Sequence, residues 1–321
     1  MNASTLRVRV ARKTVEATDI CSFELIDPSG KSLPPFSAGS HVDVTLPGGI
    51  TRQYSLCNDP GESHRYLIGV LKDPATRGGS KAMHEEVNEG DALEISVPKN
   101  HFALAHQATR SLLLAGGVGI TPILCMAERL AIANSDFEMH YASRSRDRMA
   151  FHDRILTSAF ASKVHFHFDD GPTEQKLSLE ELLANPRQEV HLYVCGPKGF
   201  MDAVLGTARA KGWPESQLHY EFFAAAPVKS VDDESFQVKL ASSGRVVVIA
   251  KNKSVTNALR DAGVEIPTSC EQGVCGTCLT RVLEGEPDHK DLYLSPDEQA
   301  ANDQFTPCCS RSRSAMLVLD L

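Results

Sequence analysis

Residues 269–278 read Ser269-Cys270-Glu271-Gln272-Gly273-Val274-Cys275-Gly276-Thr277-Cys278, and a second cysteine pair, Cys308-Cys309, follows some thirty residues later. Three roles compete for such a run: a disulfide staple, a zinc knuckle, or the cage of a redox cluster. The C-x4-C-x2-C spacing is that of a plant-type [2Fe–2S] cluster, whose fourth thiolate comes from far along the chain. A structural zinc site more often shows two C-x2-C pairs, and this chain has one. Gly273 and Gly276 suit the cluster as well, because residues without a Cβ let backbone N–H groups approach the sulfurs. Spacing alone does not choose between Cys308 and Cys309 as the fourth ligand.

The rest of the composition favours the cluster over disulfides. The first twenty residues alternate apolar and polar side chains like a strand and show no apolar signal core, so no export signal is expected. With nine cysteines, an odd number, the expectation is a reducing cytoplasm and free thiols. Cys21, Cys57 and Cys125 fall in apolar-periodic stretches and read as small buried hydrophobes. No apolar run approaches the ~20 residues of a membrane helix, so no membrane is expected. A net charge of −8 argues against nucleic acid as the main partner.

At 321 residues the chain is long enough for two or three domains. Up to about Leu104, short alternating runs such as "LRVRVARKTV", "HVDVTLP" and "DALEISVP" are separated by "PSG", "PGG" and "NEG". Closely spaced short strands predict an antiparallel barrel or sandwich, with one short helix around Lys81–Val87. The grammar then changes to strands alternating with helices: "RSLLLAGG" before "TPILCMAERLAIA", "EVHLYVCG" before "KGFMDAVLGTARAKG". That order predicts a parallel sheet with ligands at the carboxyl ends of its strands. Thr121-Pro122 reads as an N-cap with proline at N1, and Ser178 with Glu181 as a capping box. "AAAPVKSVDDES" reads as a linker. A hairpin turning at Ser243-Gly244, a short helix ended by Gly263, the cysteine loop and a closing strand follow.

The first two segments offer what a cluster needs, a source of electrons. "AGGVGITP" (Ala115–Pro122) places a glycine-rich turn between a strand and a helix start, where backbone amides meet a pyrophosphate. It departs from G-x-G-x-x-G at Pro122, and "VCGPKGF" (Val194–Phe200) is a second such turn. "RQYS" (Arg52–Ser55) joins a cation, a ring and a hydroxyl on one strand, and "RGGS" (Arg77–Ser80) is a polar glycine loop. Together they suit an aromatic cofactor and its phosphate.

In order, "RQYSLCND", "RGGS", "AGGVGITP", "CGP", "YEFF" and "CEQGVCGTC…PCCSR" resemble the phthalate dioxygenase reductase family over essentially the whole chain. The resemblance implies a multidomain protein: an antiparallel β-barrel flavin domain (1–105), an α/β parallel-sheet nicotinamide domain (106–226), a linker (227–235) and a C-terminal β-grasp ferredoxin domain (236–321). It implies FMN, NAD(H) and a [2Fe–2S] cluster, and electrons passing from NADH to FMN to the cluster to a Rieske-type oxygenase partner. Such relatives serve phthalate-, vanillate- and phenoxybenzoate-type systems. Carried over by position, Arg52, Tyr54, Ser55, Gly78, Gly79 and Ser80 bind the flavin and its phosphate. Gly116, Gly117, Gly119, Thr121, Cys195, Gly196 and Pro197 bind the nicotinamide nucleotide. Thr121, Cys195 and Phe223 lie at the hydride path. Cys270, Cys275, Cys278 and Cys308 ligate the cluster, Cys308 because the family's cysteine stands two residues before a Ser-Arg pair, here Ser310-Arg311. Asp169-Asp170 favour NADH over NADPH by repelling a 2′-phosphate, whereas the arginines of "SRSRDR" (Ser143–Arg148) would welcome one. From Val231 onward 14 acidic residues face 9 basic ones, an excess suited to steering a basic docking surface. A flavoreductase with a diffusible acceptor, and a non-catalytic metal-binding adaptor, are the alternatives.

Overall fold

The computed structural model describes residues 5–46, 49–74, 78–105, 107–223 and 234–321. Arg77 and residues 227–233 of the expected linker lie outside them. The chain divides into two compact units, Met1–Glu221 and Phe222–Leu321, and the first contains two separate sheets.

The first sheet is built from β1 (Thr5–Ala17), β2 (Ile20–Ile26), β3 (Ser40–Thr45), β4 (Thr51–Ser55), β5 (Tyr66–Leu71) and β6 (Ala92–Ser96), in the order β4-β3-β6-β1-β2-β5, with the short β7 (Lys99–Asn100) added to β3. Its pairings are antiparallel. A bridge between Leu56 and Ile68 brings β4 back to β5 and closes the barrel. Alternation drives it: Val8 and Val10 of β1, Val42 and Val44 of β3, and Phe23 and Leu25 of β2 are fully buried, two residues apart. Met83 of α1 (Gly79–Glu85) adds to this core.

The second sheet has β8 (Arg110–Gly116), β9 (Asp136–Ser143), β10 (Val164–Phe168), β11 (Val190–Cys195) and β12 (Leu218–Glu221), all parallel in the order β10-β9-β8-β11-β12. Helices α2 (Ile120–Ile132), α3 (His152–Leu156), α4 (Leu179–Leu182) and α5 (Lys198–Ala210) connect them. Leu112–Ala115 are buried consecutively, as a strand covered on both faces requires. In α5 the buried residues are Met201, Val204, Leu205 and Ala208, one stripe at helical spacing. Two helix starts differ from expectation. Gly119, not Thr121, is the N-cap of α2, and Thr121 sits in its first turn, donating to Val118 O at 3.1 Å. Ser178 makes no side-chain cap bond, because α4 is a single turn too short to set up a reciprocal box.

The second unit is a mixed sheet, β14-β13-β19-β15-β17, formed by β13 (Phe236–Leu240), β14 (Val246–Ile249), β15 (Thr280–Glu284), β17 (Gln304–Phe305) and β19 (Met316–Leu319). The closing strand β19 runs parallel to β13 and antiparallel to β15. Helix α6 (Val255–Asp261) packs Val255, Ala258 and Leu259 on this sheet, the β-grasp arrangement. Ser254 caps α6 by accepting from Asn257 N, and Gly263 ends it at φ +78°. A small pair, β16 (Pro287–Asp288) with β18 (Arg311–Ser312), and a short helix α7 (Pro296–Ala301) complete the unit. Among the described residues no helix is long and apolar enough to cross a membrane.

Candidate functional site

The cysteine loop runs between α6 and β15 without regular structure. Three residues in it take the left-handed region: Glu271 (φ +54°), Gly273 (+72°) and Gly276 (+68°). The two glycines are needed for space as well as angle. A Cβ on Gly276 would lie 2.2 Å from the Tyr293 ring, and one on Gly273 would lie 2.4 Å from Cys309 Sγ. The loop is thereby held close to Tyr293 and Cys309, and its thiols converge with those of Cys308-Cys309. Donation from the Cys275 thiol, then from Cys308, holds Cys270 far below the ordinary thiol range. Cys275 and Cys308 are pushed up by sharing protons with Cys270, and Cys308 also contacts Cys278 and Cys309. Cys270, Cys275, Cys278 and Cys308 are buried, and Cys309 is only partly so. Backbone Gln272 N donates to Cys270 Sγ at 3.3 Å. Arg311 anchors the far side by donating to the carbonyls of Glu234, Ala250 and Lys253. Four enclosed, mutually close soft donors beside backbone N–H fit an iron–sulfur cluster.

In the first unit the glycine-rich turns meet where chain direction diverges from the sheet, between β8 and β11. A Cβ on Gly119 would lie 2.3 Å from Cys195 O, and one on Gly116 would lie 2.8 Å from the Phe200 ring and 3.1 Å from Pro197. One on Gly196 would lie 3.1 Å from Gly116 Cα. These glycines let Gly116–Gly119 and Cys195–Pro197 stack backbone on backbone. Thr121 faces the barrel, since a Cβ on Gly69 of β5 would lie 2.7 Å from its methyl group. Ser55, ending β4, donates to Glu221 Oε2 at 3.0 Å, and Glu221 pairs in register with Cys195. Burial lifts the Glu221 carboxyl to about 7, and burial, then the nearby Glu221 charge, push the Cys195 thiol well up. A neutral thiol, a carboxyl poised near neutrality and the Ser55 hydroxyl thus line one locus. The thiol and the hydroxyl are uncharged there, and the carboxyl is part-protonated near neutrality.

The barrel side is a cradle for a ring with a phosphate. Arg52 lies over the start of α1, where a Cβ on Gly79 would be 2.6 Å from its Cγ. Gly78 has φ +96°, and Ser80 Oγ accepts from Asp73 N at 3.2 Å. Tyr54 Oη is buried without a hydrogen-bond partner, and burial raises its pKa. A buried orphan hydroxyl is costly to leave unpaired, so this cradle fits a polar aromatic cofactor such as a flavin.

Residues 238–313 match the 2Fe-2S iron-sulfur cluster binding domain family, and residues 113–205 match the oxidoreductase NAD-binding domain family. The chain is 58% identical over 313 residues to a vanillate O-demethylase oxidoreductase of Pseudomonas putida, covering 97% of this chain and 98% of that protein. It is 41% identical over 317 residues to the phthalate dioxygenase reductase of Burkholderia cepacia, covering 98% and 97% respectively. The chain belongs to this reductase family. A solved phthalate dioxygenase reductase, described as a modular structure for electron transfer from pyridine nucleotides to [2Fe–2S], aligns with TM-score 0.81 at 40% identity, covering 99% of this chain and 98% of that one. The protein is an oxidoreductase, the reductase component of an oxygenase system, moving electrons from NADH through flavin to its [2Fe–2S] cluster.

Within this reductase the structure brings most of the expected residues into three groups. Arg52, Gly78, Gly79 and Ser80 gather at the barrel; the two glycine turns, Thr121 and Cys195 gather at the sheet. The cysteines gather in the second unit. Phe223 falls in the second unit and is 37% exposed. Glu221 is the residue that the sequence reading misses. It is the acid ending the last parallel strand, immediately before Phe222-Phe223, and only strand register, which sets it opposite Cys195, marks it out. Cys309 adds a fifth sulfur beside the four expected ligands, with Thr306 Oγ1 at 3.3 Å.

Proposed function

We propose that this reductase serves a vanillate-type Rieske O-demethylase and carries FMN in the barrel cradle. Identity is 58% to the vanillate relative of Pseudomonas putida and 41% to the phthalate relative, which supports that choice of partner. Arg52 and the Gly78-Gly79-Ser80 turn take the phosphate, Tyr54 supplies its orphan hydroxyl to the flavin, and Ser55 faces the ring's reactive edge. The Gly116-Gly117-Gly119 turn and Cys195-Gly196-Pro197 hold the nicotinamide nucleotide. Thr121 and Cys195 position the ring. Cys270, Cys275, Cys278 and Cys308 ligate the cluster. Residues 1–105, 106–226 and 236–321 are the three domains, with 227–235 as linker. Bound flavin supplies the conversion between two-electron and one-electron chemistry that the protein's side chains lack. The unpaired cysteines suit a reducing cytoplasm.

The convergence of Ser55, Glu221 and Cys195 at the divergence of β8 and β11 carries this reading. An enclosed thiol and hydroxyl beside a part-protonated carboxyl support this as the locus where flavin and nicotinamide stack. An anaerobic NADH titration followed by visible absorption tests it. Bleaching of both flavin and iron–sulfur bands is expected, whereas flavin reduction beside an unreduced cluster refutes the route out. For the partner, kcat/KM for electron delivery to a vanillate-demethylating oxygenase is expected to exceed that to a phthalate dioxygenase, and the reverse order refutes the assignment.

A further inference from the structure

Near the edge of the parallel sheet, Glu138 and His140 on β9 share a face with His165 and His167 on β10. Glu138 Oε1 lies 3.2 Å from His140 Nε2 and 3.1 Å from His165 Nε2. These three atoms all lie within 4.8 Å of one another. The imidazoles are stacked, with centroids 4.8 Å apart for His140–His165 and 5.2 Å for His140–His167, and interplanar angles of 16° and 14°.

Counting hydrogens makes this cluster unusual. His167 Nδ1 is 3.2 Å from Gln175 O, and a carbonyl only accepts, so Nδ1 carries the hydrogen and Nε2 of the neutral ring is bare. His140 Nδ1 is 2.9 Å from that bare nitrogen, so it must donate, which leaves His140 Nε2 as a lone pair. That lone pair faces Glu138 Oε1, itself an acceptor. Two acceptors held 3.2 Å apart repel unless a cation lies between them. The spacing suits a metal ion. Donors about 2.0–2.1 Å from zinc at angles of about 100–109° stand about 3.1–3.4 Å apart, and both nitrogen–oxygen separations fall in that range.

The surroundings complete the pattern of a ligand shell. Arg110 Nη2 donates to the other oxygen, Glu138 Oε2, at 2.8 Å, which fixes the carboxylate with Oε1 presented. The Gln175–His167 relay fixes the His140 tautomer, as outer-shell partners of ligating histidines do. His140 is buried, whereas His165 is 52% exposed, so the site has a solvent entry and room for a water as fourth ligand. We propose that Glu138 Oε1, His140 Nε2 and His165 Nε2 bind a divalent transition ion of the zinc class, which clamps the edge strand β10 to β9. Two imidazoles and one carboxylate suit Zn²⁺, and these residues are not among those assigned above to flavin, nicotinamide or cluster.

Calorimetric titration of Zn²⁺ into the cluster- and flavin-loaded protein tests the site, with Glu138→Gln, His165→Ala and Cys309→Ser run in parallel and iron content checked before and after. His165 is exposed enough for its replacement to leave the fold intact. One Zn²⁺ per chain is expected, weakened at least about tenfold by either of the first two changes and unaltered by the third. Zn²⁺ should also raise the Tm of the wild type and not that of His165→Ala. Unchanged binding in Glu138→Gln and His165→Ala overturns the proposal, as does loss of binding in Cys309→Ser, which would mark a thiol site. Absence of Zn²⁺ binding to the wild type overturns it too, a proton then bridging His140 and Glu138.

Discussion

Glutamine at position 221 keeps the size of the side chain and its bond from Ser55 while removing the titration. Burial lifts the Glu221 carboxyl from 4.5 to about 7, and the Ser55 hydrogen bond pulls it back only in part. With its folded pKa raised, the native state holds a proton that the unfolded chain has already released. This contribution to stability is complete below pH 4.5 and is lost as pH rises through about 7. From about pH 5 to about pH 8 the loss comes to about 2.5 kcal/mol at ~1.36 kcal/mol per pKa unit. Because the residue as a whole is only part-buried, solvent screening trims the expectation to about 2 kcal/mol. The stability of Glu221→Gln relative to wild type should therefore improve by about that amount over the same interval. Trp213, the only tryptophan of the chain, is 5% exposed in the first unit, so its fluorescence during urea unfolding reports on that unit. A wild-type-to-variant difference that stays constant across the pH range would refute the raised carboxyl and the enclosure on which it rests.

At the cluster, Cys308→Ser should abolish bound iron and sulfide while Cys309→Ser retains both, measured by iron and sulfide assay per chain. Gly276→Ala must take a left-handed angle that costs about 1–2 kcal/mol and displace the Tyr293 ring from 2.2 Å. Its iron content should fall with flavin retained, and Tyr293→Ala in the same chain should restore part of the iron. Tyr54→Phe removes an orphan buried hydroxyl, so the flavin-free protein should gain about 1 kcal/mol in denaturant unfolding. Its FMN affinity should weaken by about 0.5–1.5 kcal/mol, a few-fold in Kd by fluorescence titration. The acidic excess of the C-terminal segment, 14 acids against 9 bases, predicts that electron transfer to the oxygenase slows as salt rises, and stopped-flow rates independent of salt would refute steering.

The fold was legible wherever burial follows a short period. Val8 and Val10 in β1 alternate because one face of the barrel is wet, and Leu112–Ala115 in β8 do not because both faces of the parallel sheet are covered. Helix ends were less legible, since a cap depends on the length and angle of the turn it closes. Ser178 and Glu181 stand at capping-box spacing yet make no such bond. The box that does form joins Ser295 and Glu298, with Pro296 in the first turn, at a helix of six residues that periodicity cannot mark.

The sites divide along the same line. Three of the four expected cluster ligands lie within nine consecutive residues, and the angle that brings their thiols together is set by Gly273 and Gly276 in the same stretch, so local chemistry exposes them. Glu221 meets Ser55 across 166 residues of chain, and no local pattern distinguishes it from any solvated acid at a strand end. Strand register is what reveals it. Once β11 and β12 are adjacent and parallel, the residue opposite Cys195 is Glu221, an acid beside the Cys-Gly-Pro turn and within reach of Ser55 at the end of β4. The same reasoning finds Glu138, His140 and His165, which lie on neighbouring strands with no sequence motif between them. In an α/β sheet, therefore, the residues worth testing after the glycine turns are those that register places opposite them or stacks on one face of an edge.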